Sequence, residues 1–151
     1  AYEEFFVEQI KLIIRKNQRK CKISGTIDID VGLIQKILAI FPFTLTTGQL
    51  ATINDILSDL GSHKPMSRLI QGDVGCGKTV IAIFSSIFFA LQKYQVALMV
   101  PTESLAHQHF KTFKPYLDAL NLNVELGMAS ILHIHINIDN KMWTVSASSI
   151  H

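Results

Sequence analysis

Cysteine is scarce in this chain, with only Cys21 and Cys76 among 151 residues. They lie far apart and form no Cys-x-x-Cys pattern, which excludes a zinc ribbon or a disulfide framework and fits a reducing compartment, the cytoplasm. A hydrophobic run of membrane length is missing too. The longest, Val80 to Leu91 (VIAIFSSIFFAL), falls short of the roughly 18 residues that a spanning helix needs, so a buried helix is expected and no membrane partner. Nor is there an excess of one charge. Fourteen Lys and Arg against twelve Asp and Glu leave a formal +2, and a nucleic-acid partner would have to be argued from local clustering. The opening AYEEFFVEQ is acidic and aromatic where a secretory signal is basic and then apolar, so no targeting segment is expected. With 48% hydrophobic and 17% charged residues, the chain has the make-up of one globular domain.

What is present falls into segments. Tyr2 to Lys20 carries Phe6, Ile10, Ile13 and Ile14 near helical spacing, acids early and bases late, as a helix dipole favours. Lys11, Arg15, Arg19 and Lys22, extended by Lys16 and Lys20, form a basic side that reads as a solvated face, because no aromatic residue is interleaved. KISGTIDIDVG reads as a loop and LIQKILAIF as a short helix ending at Phe41-Pro42. Thr46 and Gln49 fit a capping box, with Leu45 and Leu50 as a hydrophobic staple. Leu50, Ile53, Leu57 and Leu60 give a buried stripe, and Gly61 closes the helix.

MSRLIQ reads as a short strand and VALMV, Val96 to Val100, as a buried parallel strand. The helix after Pro101-Thr102 lines Ala106, Phe110, Phe113, Leu117 and Leu120 on one face and should kink or restart at Pro115. LNVEL could be a third strand. Strands alternating with helices imply an α/β fold with a parallel sheet and right-handed crossovers.

Between the MSRLIQ strand and the apolar helix stands Gly72-Asp73-Val74-Gly75-Cys76-Gly77-Lys78-Thr79, a match to G-x-x-x-x-G-K-[ST] in the strand-to-helix setting that makes this motif credible. A plain glycine turn requires neither the lysine nor the threonine. The glycines let backbone N–H groups curl around phosphate oxygens, Lys78 would reach the β- and γ-phosphates, and the Thr79 hydroxyl would ligate Mg²⁺. ATP and Mg²⁺ are the expected cofactors.

FPFTLTTGQ, PMSRLIQGDVGCGKTVIA and ALMVPTESLAHQHF, in this order and spacing, resemble the start of the helicase domain of RecG-type ATP-dependent DNA helicases of superfamily two. The coupling helicase that links transcription to repair has a similar phosphate loop, but Gln71 and Pro101-Thr102-Glu103 are closer to RecG. The likeness is dense from Phe41 to about Leu120 and fades after Leu126. Cys76 stands where the family usually has serine, a position that tolerates a small side chain. The resemblance implies a partial P-loop NTPase (RecA-like) motor lobe with parallel strands and flanking helices, preceded by an N-terminal helical segment. It divides the chain into a helical linker (1–40), the first part of the lobe (41–126) and an unassigned tail (127–151). It further implies that Phe43 and Gln49 belong to the adenine-recognising segment, although Gln49 also suits a cap and both roles stay open. Pro101, Thr102, Glu103 and Ser104 would touch DNA backbone, a role suited to N–H groups at a helix N-terminus. His107 and His109, two apart on a helix, diverge and are expected to face solvent.

A P-loop ATPase also needs acidic residues to hold the metal and orient the attacking water. After Thr79 the carboxylates are Glu103, Asp118, Glu125 and Asp139, none adjacent to another. Asp139, closing ILHIHINID, is the best candidate, but that stretch alternates as a half-exposed strand does. His133 and His135 hint at a metal, although an edge strand with a polar face accounts for them. The expectation is a truncated ATP-binding portion of a DNA repair and recombination helicase, unable to unwind DNA alone. A small independent P-loop ATPase or kinase, and a nucleotide-binding interaction module that has lost the motor, are the alternatives. The oligomeric state is not legible.

Overall fold

The N-terminal helical spacing is realised as α1, Tyr2–Lys20, in a computed structural model that describes residues 2–20, 27–62, 65–126 and 131–135. Glu3 and Glu4 lie in its first turn, where the dipole favours acids, and Lys11 pairs with Glu8 at 2.7 Å. Phe6, Ile10, Ile13 and Ile14 are all exposed. Arg15, Lys16, Arg19 and Lys20 belong to α1, whereas Lys22 and Cys21 lie outside the described residues. No described helix is long and apolar enough to cross a membrane.

The chain divides into two units, Ala1–Gln35 with Phe43–Ile81, and Lys36–Pro42 with Ala82–His151. α2 (Val31–Leu38), of which residues 31–35 belong to the first unit, begins two residues before the apolar run that suggested it. Asp30 is the reason: its carboxylate accepts the Gly32 N–H at 2.8 Å and its carbonyl the Ile34 N–H at 3.1 Å, so it caps the helix. α3 (Thr47–Leu60) has the capping box that Thr46 and Gln49 announced. The Thr46 N–H donates to Gln49 Oε1 at 2.9 Å and the Gln49 N–H to Thr46 Oγ1 at 3.3 Å. The buried stripe differs by one residue: Ile53, Ile56, Leu57 and Leu60 are buried and Leu50 is exposed. Gly61 does end α3, but in a right-handed conformation (φ −71°, ψ −9°) open to any residue.

MSRLIQ forms no strand; residues 65–73 are irregular. It has no strand partner among the described residues and is held instead by Arg68, whose Nε donates to Asp59 Oδ2 at 2.7 Å and whose NH1 donates to Asp55 Oδ2 at 3.1 Å. The two carboxylates are four apart and share one face of α3. The hydrogen bond from Arg68 holds the Asp59 carboxyl below its ordinary pKa, against a smaller opposing effect of burial. A carboxyl lowered in the folded state stabilises above its unfolded pKa, and that contribution is lost as pH falls through the folded value. Arg68→Met should therefore lower the thermal midpoint at pH 7, and its difference from wild type should close as pH drops below about 4. An equal difference at pH 7 and pH 2.5 would show that the ion pair is not its source.

In the second unit, α4 (Lys78–Leu91, from Ala82 onward) has no exposed residue, as a helix apolar on every side requires. Ile83, Phe84, Ile87, Phe88 and Ala90 are buried, and the Phe84 and Phe88 rings stack with centroids 6.1 Å apart. The helix ends in a Schellman motif, with Tyr94 N–H on Phe89 O at 3.0 Å and Lys93 N–H on Ala90 O at 2.9 Å. Lys93 is left-handed there (φ 67°), a conformation that costs a non-glycine residue about 1 kcal/mol or more.

β1 (Val96–Met99), α5 (Glu103–Asp118), β2 (Asn123–Leu126) and β3 (Ile131–His135) complete the described elements. The sheet order is β1-β3-β2, and both pairings are antiparallel, Leu98 and Leu126 each standing opposite Leu132. The expected parallel pairing is thus not found among the described strands. β1 and β2 do run in the same sense, as a strand-helix-strand unit requires, but β3 lies between them. Only residues 127–130 separate β2 from β3, too few for a parallel crossover, which takes about a dozen or more. VALMV is correspondingly not buried on both faces: Val96 and Leu98 are half-buried, Ala97 and Met99 exposed. β3 is the central described strand, not an edge.

α5 packs on β2 and β3; Ala106, Phe113 and Leu117 are buried, and Phe110 and Leu120 half-buried. It runs through Pro115 without a restart. Phe41 packs its ring on Tyr116 at 5.2 Å.

Candidate functional site

The phosphate-loop residues all belong to the first unit. Gly75 and Gly77 adopt φ of +83° and +82°, where a β-carbon is strained. A β-carbon on Gly77 would also strike the Gln49 amide nitrogen, and one on Gly72 would come within 2.7 Å of Cys76 Sγ. Gly75 and Gly77 are thus required by the backbone of the turn, whereas at Gly72 only the Cys76 side chain stands in the way. The Cys76 N–H closes it on Asp73 O at 3.3 Å, and the chain then enters α4 at Lys78. Gly77, Lys78 and Thr79 accordingly offer N–H groups that the first turn of a helix leaves open.

Lys78 Nζ lies over this loop, donating to Gly72 O and Asp73 O, each at 2.7 Å, with Cys76 Sγ at 3.5 Å. Lys78 is exposed and Thr79 half-buried; Asp73, Val74 and Cys76 are exposed, Val74 fully. The free thiol of Cys76 fits the turn, as a small side chain should.

Gln49 reaches the loop from the start of α3, donating from Nε2 to Cys76 O at 3.1 Å while Oε1 keeps the capping box closed. Sequence reasoning set cap against ligand contact at this residue and missed a third partner, the loop itself. No local pattern encodes a bond across 27 residues. Phe43 is 45% exposed in the same unit.

Pro101 to Ser104 lie in the second unit, where β1 gives way to α5, and all four are exposed. Thr102 caps α5 with extended backbone (φ −140°, ψ 152°), its hydroxyl accepting the Leu105 N–H at 3.3 Å. That hydroxyl is therefore engaged within its own helix, and the first-turn N–H groups of Glu103 and Ser104 are what remains for an anion. His107 is exposed, but His109 is half-buried with its ring edge-on to Phe113 at 6.2 Å, so only the first faces solvent as expected. No group of three or more metal-ligating side chains occurs among the described residues. Asp139 lies outside them.

A family profile described as DEAD/DEAH box helicase matches residues 46–143, which reaches past Leu126. Similar curated proteins include the ATP-dependent DNA helicase RecG of Aquifex aeolicus, 42% identical over 130 residues that cover 86% of this chain and 16% of that protein. RecG of Synechocystis is 43% identical over 128 residues (83% of this chain, 15% of the relative). RecG of Borreliella burgdorferi is 37% identical over 130 (86% and 19%). The chain thus spans less than a fifth of the length of these relatives. The matched stretch takes in the capped helix, the phosphate loop and the strand-to-helix corner at Thr102, and a P-loop NTPase fold of the RecA-like kind follows from it: the chain belongs to the DEAD/DEAH box helicase family.

Proposed function

We propose that this chain forms the ATP-binding part of a DNA helicase that acts in repair and recombination on branched DNA or stalled forks. The observation that carries the reading is the phosphate loop, with two glycines at positive φ leading into a helix whose first residues are Lys78 and Thr79. In this reading residues 1–40 are a helical linker, 41–126 the first part of the motor lobe, and residues from 127 carry no assigned role. The protein works in the cytoplasm.

The loop suits a nucleotide triphosphate. The backbone of Gly72 to Thr79 would cradle the phosphates, Lys78 would exchange its two loop carbonyls for the β- and γ-phosphate oxygens, and Thr79 would ligate Mg²⁺. The bound Mg²⁺ would supply charge neutralisation on the phosphate chain. Phe43 and Gln49 would lie beside the adenine. Titration with a fluorescent ATP analogue, with and without Mg²⁺, tests the reading, and no saturable binding would refute it.

Pro101 to Ser104 would meet DNA through backbone phosphates, since the donors offered are first-turn N–H groups. Binding should be weak and indifferent to sequence, and its affinity should fall steeply as salt rises from 50 to 200 mM, the behaviour of phosphate contacts. A gel-shift series tests this. A preference for forks over plain duplex in this chain alone would contradict it, because first-turn N–H groups read phosphate and not branching.

A further inference from the structure

The phosphate loop is anchored unequally at its two ends. At Lys78 it runs into the first turn of α4. At Gly72 it joins residues 65–71, which form neither helix nor strand and are exposed save for half-buried Ile70. Packing therefore does not hold that approach. Among the described residues, its bonds to another element are the two from Arg68, Nε to Asp59 Oδ2 at 2.7 Å and NH1 to Asp55 Oδ2 at 3.1 Å, in the C-terminal half of α3. Just beyond Arg68 in the chain, Gly72 and Asp73 supply the carbonyls on which Lys78 Nζ rests. We propose that Arg68 is a positioning residue of the phosphate loop: its grip on Asp55 and Asp59 fixes where the chain enters the loop and so raises affinity for the phosphates of a nucleotide.

The inference rests on the phosphate-loop reading. An entry released from α3 has more conformations to lose when phosphate binds, and ordering one further residue corresponds to about a tenfold loss of affinity. The sign of a charge change separates this role from simple attraction. Were Arg68 only a cation near an anion site, removing its acidic partner Asp59 would take away a negative charge and tighten anion binding. A clamp requires the opposite, since Arg68 loses the closer of its two anchors.

The experiment is titration of wild type, Arg68→Met, Arg68→Lys and Asp59→Ala with a fluorescent ATP analogue and Mg²⁺, well below every thermal midpoint, with circular dichroism to establish that each variant is folded. Arg68→Met and Asp59→Ala should each weaken binding about tenfold. The double variant should bind no more weakly than either, because one clamp is lost only once. Arg68→Lys keeps the charge but cannot fork across two carboxylates, so it should weaken binding about threefold, and it keeps the test open if the methionine variant does not fold. Unchanged or tighter binding by Asp59→Ala would overturn the proposal, as would additive losses in the double variant or wild-type affinity in either folded Arg68 variant. Failure of wild type to bind the analogue would instead overturn the phosphate-loop reading itself.

Discussion

Replacing Lys78 by alanine is expected to weaken binding of the Mg²⁺–ATP pair about ten- to a hundredfold without lowering the thermal midpoint. Hydrogen bonds to charged groups contribute roughly 1.5–3 kcal/mol each, and two of them would suggest a loss of about a hundredfold to ten-thousandfold. The geometry argues for less. Nζ already donates to Gly72 O and Asp73 O at 2.7 Å, so binding exchanges acceptors, and what the lysine adds is the difference between a carbonyl and a phosphate oxygen. Its charge also meets an anion at an exposed site, where solvent screens it. Stability should hardly change, because the bonds lost are confined to one exposed loop. Titration of wild type and variant with a fluorescent ATP analogue, beside a thermal melt of each, checks both halves. Equal affinities would remove Lys78 from the site, and a large drop in the midpoint would mean that the variant reports on folding.

The second large effect concerns turnover. Phosphate release from ATP by the purified 151-residue chain should stay near background, with or without DNA. Holding a triphosphate takes N–H donors and a lysine, whereas hydrolysis also takes a held metal, an oriented water and a cation on the developing charge. The carboxylates after Thr79 are Glu103, Asp118, Glu125 and Asp139, and no two are adjacent. No arginine follows Arg68 in these 151 residues, and a transition-state arginine alone is worth about three to five orders of magnitude. DNA-stimulated release by wild type, abolished in both Lys78→Ala and Asp139→Asn, would overturn this expectation and make Asp139 the acid that holds the metal.

What could be read from the sequence divides by the range of the interaction. The Thr46–Gln49 box depends on residues within one turn of each other and stands as the sequence suggested, and the helix expected from Val80 to Leu91 opens two residues earlier, at Lys78. The glycine requirement at Gly77 was equally local, since the motif fixes a glycine there, whereas Gly75 stands on a position the motif leaves open and its left-handed backbone is known only from the fold. The α3 stripe was nearly so; Ile56 replaces Leu50 because two helical faces share the neighbouring positions and only packing selects between them. Strand partners were not legible. VALMV has the composition of a strand covered on both sides, yet pairing sense depends on a segment more than thirty residues later. The brevity of 127–130 was the available sign that β3 must run antiparallel. At Arg68, two carboxylates four apart on α3 and a lone guanidinium in the following segment were an equally available sign of the clamp. The Gln49–Cys76 bond left no such trace.

The resting place of the Lys78 amine also bears on how nucleotide arrival would register as heat. A lysine whose ammonium was solvated would release the full enthalpy of new charge-assisted bonds. Here two short bonds to Gly72 O and Asp73 O have to break first. Calorimetry would therefore record a smaller exotherm than the contacts of a filled loop suggest, with more of the driving force coming from water and counter-ions released by the phosphate chain. The same two bonds hold the turn in shape, so a ligand would find a loop already folded and little ordering left to do.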